Sequence, residues 1–232
     1  TNGVSSGMTQ SNLIPDTVTR GTAMYSEYSF EFDGVGDYID CNVDMPTLGI
    51  TGGTTVAAVF TFSLWFKTIS HVATWNMMFG ARESTVGFGI YHAGNGYIYG
   101  YFDYSSFYAA ITIPLDTWTH VAVTSDASAI NLYINGELEA TAAAWTTLVM
   151  TKDVSIGSDV AGGAPYNGEI NNCSIFNSAL SAADISTIYN NGRPADLTDL
   201  SPVAWWKMGQ EAFCPDYSAT PNVWTIPDQI GS

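Results

Sequence analysis

Residues 30–39, Phe-Glu-Phe-Asp-Gly-Val-Gly-Asp-Tyr-Ile, leave the backbone few choices. Phe30 and Phe32 alternate with Ser29 and Glu31, which turns one face toward a core and the other toward water, the period of a half-buried strand. Asp33-Gly34 and Gly36-Asp37 then supply residues that tolerate positive φ and carboxylates that bond their own turn, after which Tyr38-Ile39 resumes an extended run. The expected result is two short strands hinged at a tight bend.

The rest of the chain repeats that texture. Strand-like runs are read at 56–67, 75–81, 86–91, 97–104, 107–113, 118–125, 130–134, 137–144 and 153–157, most of them separated by Gly, Asn, Asp or Ser. Asn135-Gly136, between Ile130–Ile134 and Glu137–Glu139, has the positive-φ pair that matches the twist of a hairpin. Only 181–189 reads as helix, with Ser181 as N-cap, Ile185, Ile188 and Tyr189 at helical spacing, and Asn191-Gly192 as the stop. Twenty-two glycines, 13 tyrosines, 7 tryptophans and 12% charged residues favour strands and turns, and 232 residues suffice for one large domain with a sizeable core. The fold class expected is all-β, an antiparallel sandwich with one short C-terminal helix.

Charge narrows the partners. Six Lys and Arg against 22 Asp and Glu give a net charge of −16, which repels phosphate backbones and anionic membrane surfaces and attracts divalent cations. No nucleic acid is expected as partner. The longest apolar run, 56–66, is too short and too polar to cross a bilayer, so no membrane insertion is expected, and no signal peptide is visible. Cys41, Cys173 and Cys214 show no metal-ligand spacing; one disulfide and buried free thiols both stay open.

Four segments in order carry a resemblance: Phe30 to Ile39; Phe62-Ser63-Leu64-Trp65-Phe66-Lys67; Trp118-Thr119-His120-Val121-Ala122-Val123-Thr124 with Ile130 to Glu137; and Ile156-Gly157-Ser158 through Tyr166-Asn167-Gly168-Glu169-Ile170 to Ser181. This series resembles the laminin-G-like members of the concanavalin A-like lectin/glucanase superfamily over about residues 29–192. The resemblance implies a jelly-roll sandwich, with 1–28 as a wrapping N-terminal segment and 193–232 as a C-terminal strand and aromatic loop segment. It also implies a structural Ca2+ near the Asp-Gly turn, held by Asp33 and Asp37 and, where relatives carry Asp-Glu and this chain carries Asn171-Asn172, by Asn171. Asp33-Gly34 can equally be a hydrogen-bonded turn with no ion.

Glucanases of this superfamily set two glutamates and an aspartate at alternating positions of one strand, and retaining chemistry needs carboxyls about 5 Å apart. No such motif occurs here. Glu137 and Glu139 read as a solvated strand face, and His120 reads as a satisfied structural histidine. The chain is therefore expected not to be an enzyme.

Tyr97, Tyr99 and Tyr101 share one face at period two, with Tyr104, Phe107 and Tyr108 close behind. Rings beside polar groups suit the C–H faces and hydroxyls of a sugar, so Tyr97, Tyr99, Tyr101, Tyr104 and Tyr108 are the candidate ligand site; the same rings could instead fill the core. Trp205, Trp206 and Trp224 in the tail are candidate assembly residues. Similar tail segments precede the Asp-Gly module in tandem arrays of marine bacteriophage structural proteins. The tail is thus expected either to close the chain's own sandwich or to be donated to a neighbour's sheet edge.

The function expected is a non-catalytic structural and adhesion module of a virion or other extracellular or cell-surface assembly. Its partners would be copies of itself, neighbouring virion or surface proteins, or host-surface glycans. A free carbohydrate-binding lectin is the alternative.

Overall fold

A computed structural model describes residues 2–8, 12–15, 28–52, 57–71, 75–83, 86–103, 105–145, 151–159, 162–209 and 225–230. In chain order the strands are β1 (Gly3–Ser6), β2 (Leu13–Pro15), β3 (Tyr28–Asp33), β4 (Tyr38–Asp44), β5 (Phe60–Thr68), β6 (Trp75–Glu83), β7 (Val86–Ala93) and β8 (Ile98–Phe102). They continue as β9 (Ser105–Ala109), β10 (Thr119–Ser125), β11 (Ala129–Ile134), β12 (Glu137–Ala143), β13 (Asp153–Ile156), β14 (Asn167–Phe176), β15 (Ala204–Trp206) and β16 (Thr225–Ile226). The helix α1 (Ala182–Tyr189) lies between β14 and β15.

Among the described residues all the pairings are antiparallel and form two sheets. One runs β16-β1-β4-β13-β6-β7-β8-β9 and the other β12-β11-β10-β5-β14-β3-β2, with β15 on the free part of β14's edge. A jelly-roll sandwich with, among the described residues, one short α-helix is therefore what the chain forms.

Alternation along the strands fills the space between the sheets. Phe30 and Phe32 of β3, Phe60, Phe62, Leu64 and Phe66 of β5, and Phe79, Phe88, Ile90 and Phe102 of the opposite sheet form one buried cluster. Its rings meet edge-on or tilted, Phe62 lying 4.8 Å from Phe79 and 5.0 Å from Phe88 between centroids, arrangements that favour aromatic pairs beyond their burial alone. A second cluster sits outside the β5-bearing sheet, where α1 lays Ile185 and Ile188 over Ala122, Tyr133, Phe176 and Trp205.

Local chemistry sets the boundaries. Asn135 (φ 51°) and Gly136 (φ 83°) make the hairpin between β11 and β12. Ser181 caps α1 reciprocally: its hydroxyl accepts from the Asp184 N–H while the Asp184 carboxylate accepts from the Ser181 N–H. The helix ends one residue before the expected stop, because Asn190 already takes the left-handed conformation (φ 46°) and donates its N–H to Ser186.

Cys41 on β4 and Cys173 on β14 are fully buried free thiols. Burial pushes both thiols well up, and their proximity adds to the shift of Cys41. Native protein should thus leave both unlabelled by iodoacetamide at mildly alkaline pH, with both labelling once denaturant opens the fold; mass mapping of the two peptides checks this.

Candidate functional site

Four consecutive hairpin strands, β6 to β9, build an aromatic terrace on the outer face of the first sheet. Along β8, Ile98, Gly100 and Phe102 turn inward, so Tyr99 and Tyr101 turn outward. The register β7↔β8 sets Tyr91 opposite Tyr99, β8↔β9 sets Tyr108 opposite Tyr99 and Ser106 opposite Tyr101, and β6 brings Trp75 alongside. The rings form a connected path. Tyr97 stacks on Tyr108 at 5.8 Å, Tyr108 meets Tyr99 at 5.0 Å, Tyr99 meets Trp75 edge-on at 4.6 Å, Trp75 meets Tyr101 at 5.6 Å, and Tyr101 meets Tyr91 at 5.8 Å. Trp75 is 46% and Tyr108 48% exposed, whereas Tyr91 is buried.

The terrace has a fixed underside. Gly89 faces outward beneath it: a Cβ there would stand 2.7 Å from the Tyr91 ring and 3.1 Å from Met77 Sδ, so only a bare backbone lets both lie down on the sheet. Arg82, 4% exposed, holds its guanidinium carbon 4.2 Å from the Tyr101 centroid and 5.9 Å from that of Tyr91, within cation–π range of both. Its Nη2 donates to the Asp103 carbonyl at 2.9 Å, and the Asp103 carboxylate accepts from the Gly87 N–H at 2.7 Å. The segment after β13 borders this edge, Ala164 accepting from the Met77 N–H and buried Asp159 accepting from the Gly163 N–H. Burial pushes the Tyr91 phenol up, with Arg82 opposing and Asp159 reinforcing the shift, so both charges lie within electrostatic reach of it.

Comparison with known proteins places this geometry in a family. A laminin-G-type profile described as "Concanavalin A-like lectin/glucanases superfamily" matches residues 33–186. The chain belongs to the concanavalin A-like lectin/glucanase superfamily. Solved structures of the same fold include a native heptameric SAP-like pentraxin from Limulus polyphemus, 18% identical with a TM-score of 0.51, the match covering 71% of this chain and 83% of that one. Domain 4 of AbnA, an extracellular arabinanase from Geobacillus stearothermophilus in complex with arabinotriose, is 18% identical with a TM-score of 0.56, over 79% of this chain and 86% of that one. The receptor binding domain of botulinum neurotoxin C/D mosaic serotype is 16% identical with a TM-score of 0.59, over 83% of this chain and 46% of that one. At these identities the likeness is one of fold. No curated protein sequence matches the chain.

The calcium set that the superfamily resemblance implies does not converge. Asp37 is buried beside the turn, where its Oδ2 accepts from Asn12 Nδ2 and from the Asp33 N–H, and the Asp33 Oδ1 accepts from the Val35 and Gly36 N–H groups. Burial, then the neighbouring Asp33, raises the Asp37 carboxyl. Asn171 stands elsewhere. The residue across from Asp33 is Asn167, and Asn171 lies four positions further along β14, about 13 Å away at strand rise, with its Oδ1 taken by Asn172. The residues read as one ligand set are thus a hydrogen-bonded turn and a separate strand polar group, and they do not fit a shared ion. Among the described residues no three His, Cys, Asp or Glu side chains form a metal-binding group.

Two of the tryptophans read as assembly residues, Trp205 and Trp206, face inward. β15 pairs with β14 of the same chain, Trp206 opposite Cys173 and Trp205 opposite Ser174, and both indoles are buried. Trp206 joins the main core at 6.3 Å from Phe79, while Trp205 lies under α1 and takes Lys207 over its ring at 4.6 Å. β16 pairs with β1, and the Asp228 carboxylate accepts from the Trp205 N–H, so these described segments of the tail pair with strands of the same chain. Tyr104 and Trp224 lie outside the described residues.

His120 differs from the sequence reading. Its Nε2 is 2.8 Å from Ser63 Oγ, but its buried Nδ1 has no partner, and burial holds its pKa down to about 3. Trp65 and Tyr189 cover the ring, closing that Ser–His pair from solvent. Sequence reasoning also missed Trp75, Arg82 and Tyr91. Their signal was the run of three short hairpin strands: once β6, β7 and β8 are paired in order, outward positions of the first two must flank Tyr99 and Tyr101.

Proposed function

We propose that the chain is a non-catalytic carbohydrate-binding and adhesion module that docks extracellular or surface glycans on its aromatic terrace. The observation that carries this reading is the connected path of rings on a sheet face, two of whose members, Trp75 and Tyr108, are half exposed. Ring faces take the C–H faces of a pyranose or furanose, and phenol and amide edges take its hydroxyls; Asn95 Nδ2, which donates to the Tyr99 hydroxyl at 2.9 Å, supplies one such edge. Membership of a lectin-containing superfamily and the arabinotriose complex of the arabinanase domain support the ligand class. Two acidic groups at the edge of the terrace, Asp103 and Asp159, each accept from a backbone N–H and so serve to hold the local loops.

The virion or cell-surface setting rests on the resemblance of the tail segment. For the binding itself, Trp75→Ala and Tyr108→Ala are expected to weaken glycan affinity by about tenfold or more each, as loss of an anchoring ring does, while thermal midpoints stay near wild type because both rings are half exposed. Calorimetric titration with oligosaccharides from a glycan array measures this. Wild-type affinity in both variants and in the triple Tyr97, Tyr99 and Tyr101 to Ala variant would remove the terrace as the site.

A further inference from the structure

We infer that the terrace selects uncharged glycans, Arg82 serving as a pin for its rings and not as a receptor for acidic sugars; this rests on the glycan-binding reading above. An arginine at a sugar site ordinarily signals a carboxylate or sulfate, because its planar fork matches two oxygens. This one is placed otherwise. It is 4% exposed, donates to the carbonyls of Gly87 and Asp103, and lies within cation–π range of Tyr101 and Tyr91.

Its charge is also offset locally. Asp159, 7% exposed, acts on the same Tyr91 hydroxyl with the opposite sign, so a buried negative charge opposes that of Arg82 beneath the terrace. Among the described residues, the groups the terrace rings and their neighbours offer to a ligand are neutral: the phenols of Tyr97, Tyr99, Tyr101 and Tyr108, the Asn95 amide and the Ser106 hydroxyl opposite Tyr101. Beyond them stands a molecule with 22 acidic and six basic residues, whose field opposes an approaching anion.

The test pairs neutral arabino-, xylo- and gluco-oligosaccharides with oligogalacturonides and sulfated gluco-oligosaccharides of equal length, titrated at low and at physiological salt. Neutral ligands are expected to bind and to lose affinity in Trp75→Ala. Acidic counterparts should bind about tenfold or more weakly at low salt, the gap shrinking as salt screens the field over the ~8 Å Debye length. Arg82→Met should keep the preference for neutral ligands while lowering affinity through loosened rings. Tighter binding of an acidic ligand that requires both Trp75 and Arg82 would overturn the inference and leave the glycan reading standing. Should Arg82→Met fail to fold, the wild-type salt dependence decides alone: affinity for an acidic ligand that exceeds the neutral one and falls with salt overturns it. Absence of any oligosaccharide binding, or binding indifferent to Trp75, would instead defeat the glycan reading and this inference with it.

Discussion

Deletion of residues 201–232 is expected to abolish the cooperative unfolding transition. The deletion strips β15 from β14, exposing the backbone edge of Cys173–Ile175, and removes Trp206, Met208 and Ile226 from the main core and Trp205 from beneath α1. Loss of one buried aromatic costs about 3–5 kcal/mol and total stability is about 5–15 kcal/mol, so two tryptophans remove about 6–10 kcal/mol, and the loss of Met208, Ile226 and the strand pairing brings the deficit to the size of the whole stability. Trp206→Ala alone should lower stability by about 3–5 kcal/mol while leaving the strand in place. Calorimetry and circular dichroism of the two proteins give the comparison. A truncated chain that stays a folded monomer would overturn it, and would point to a tail that serves a neighbour's sheet.

Acid should destabilise the protein most steeply between about pH 6.5 and pH 4. Burial holds the pKa of His120 near 3, and burial with the adjacent His71 holds that of His92 near 4, both below the ordinary value of about 6.5. In that window the unfolded chain binds protons that the folded chain refuses, so the stability these histidines contribute is complete above about pH 6.5 and is lost as pH falls toward their folded values. The slope is at most about 1.4 kcal/mol per pH unit for each histidine. Asp37 and Asp153, whose carboxyls burial raises, carry the opposite sign: their contribution is present at low pH and declines as pH rises through their folded values, which softens only the acid end. Urea midpoints measured across pH should show the decline in wild type and a shallower one in His120→Gln. A flat wild-type profile over the window would mean that neither ring is held neutral by burial.

Local chemistry was legible in the sequence where it acts locally. Asn135-Gly136 and Ser181 state their turn and cap within four residues, and the alternation of Phe30 with Phe32 states a face, so the sandwich follows from short-range rules. Register was not legible. A bulge between Met77 and Phe79 shifts β6 against β7 and decides that Trp75 meets Tyr99 and Tyr101, information that exists only once both strands are paired. A second irregularity in β14, between Asn171 and Ser174, with Asn172 at φ 48°, carries that strand past its contacts with β3 toward β15. The superfamily resemblance implied that Asn171 shares a site with Asp33; distance along the strand separates them. Burial of Trp205 and Trp206 likewise depends on which edge of β14 is open, a property of the whole sheet.

The clasp between the two chain ends has a mechanical consequence. Gly3 stands opposite Ile226 and Val4 opposite Thr225, in an antiparallel pair whose chains leave from the same end. A force that pulls residue 3 away from residue 226 therefore loads the bonds of this short ladder one after another, like the teeth of a zipper, and not all at once as shear along the strands would. The seam should part at low force and the sandwich behind it, led by β4 and β14, should carry whatever load remains.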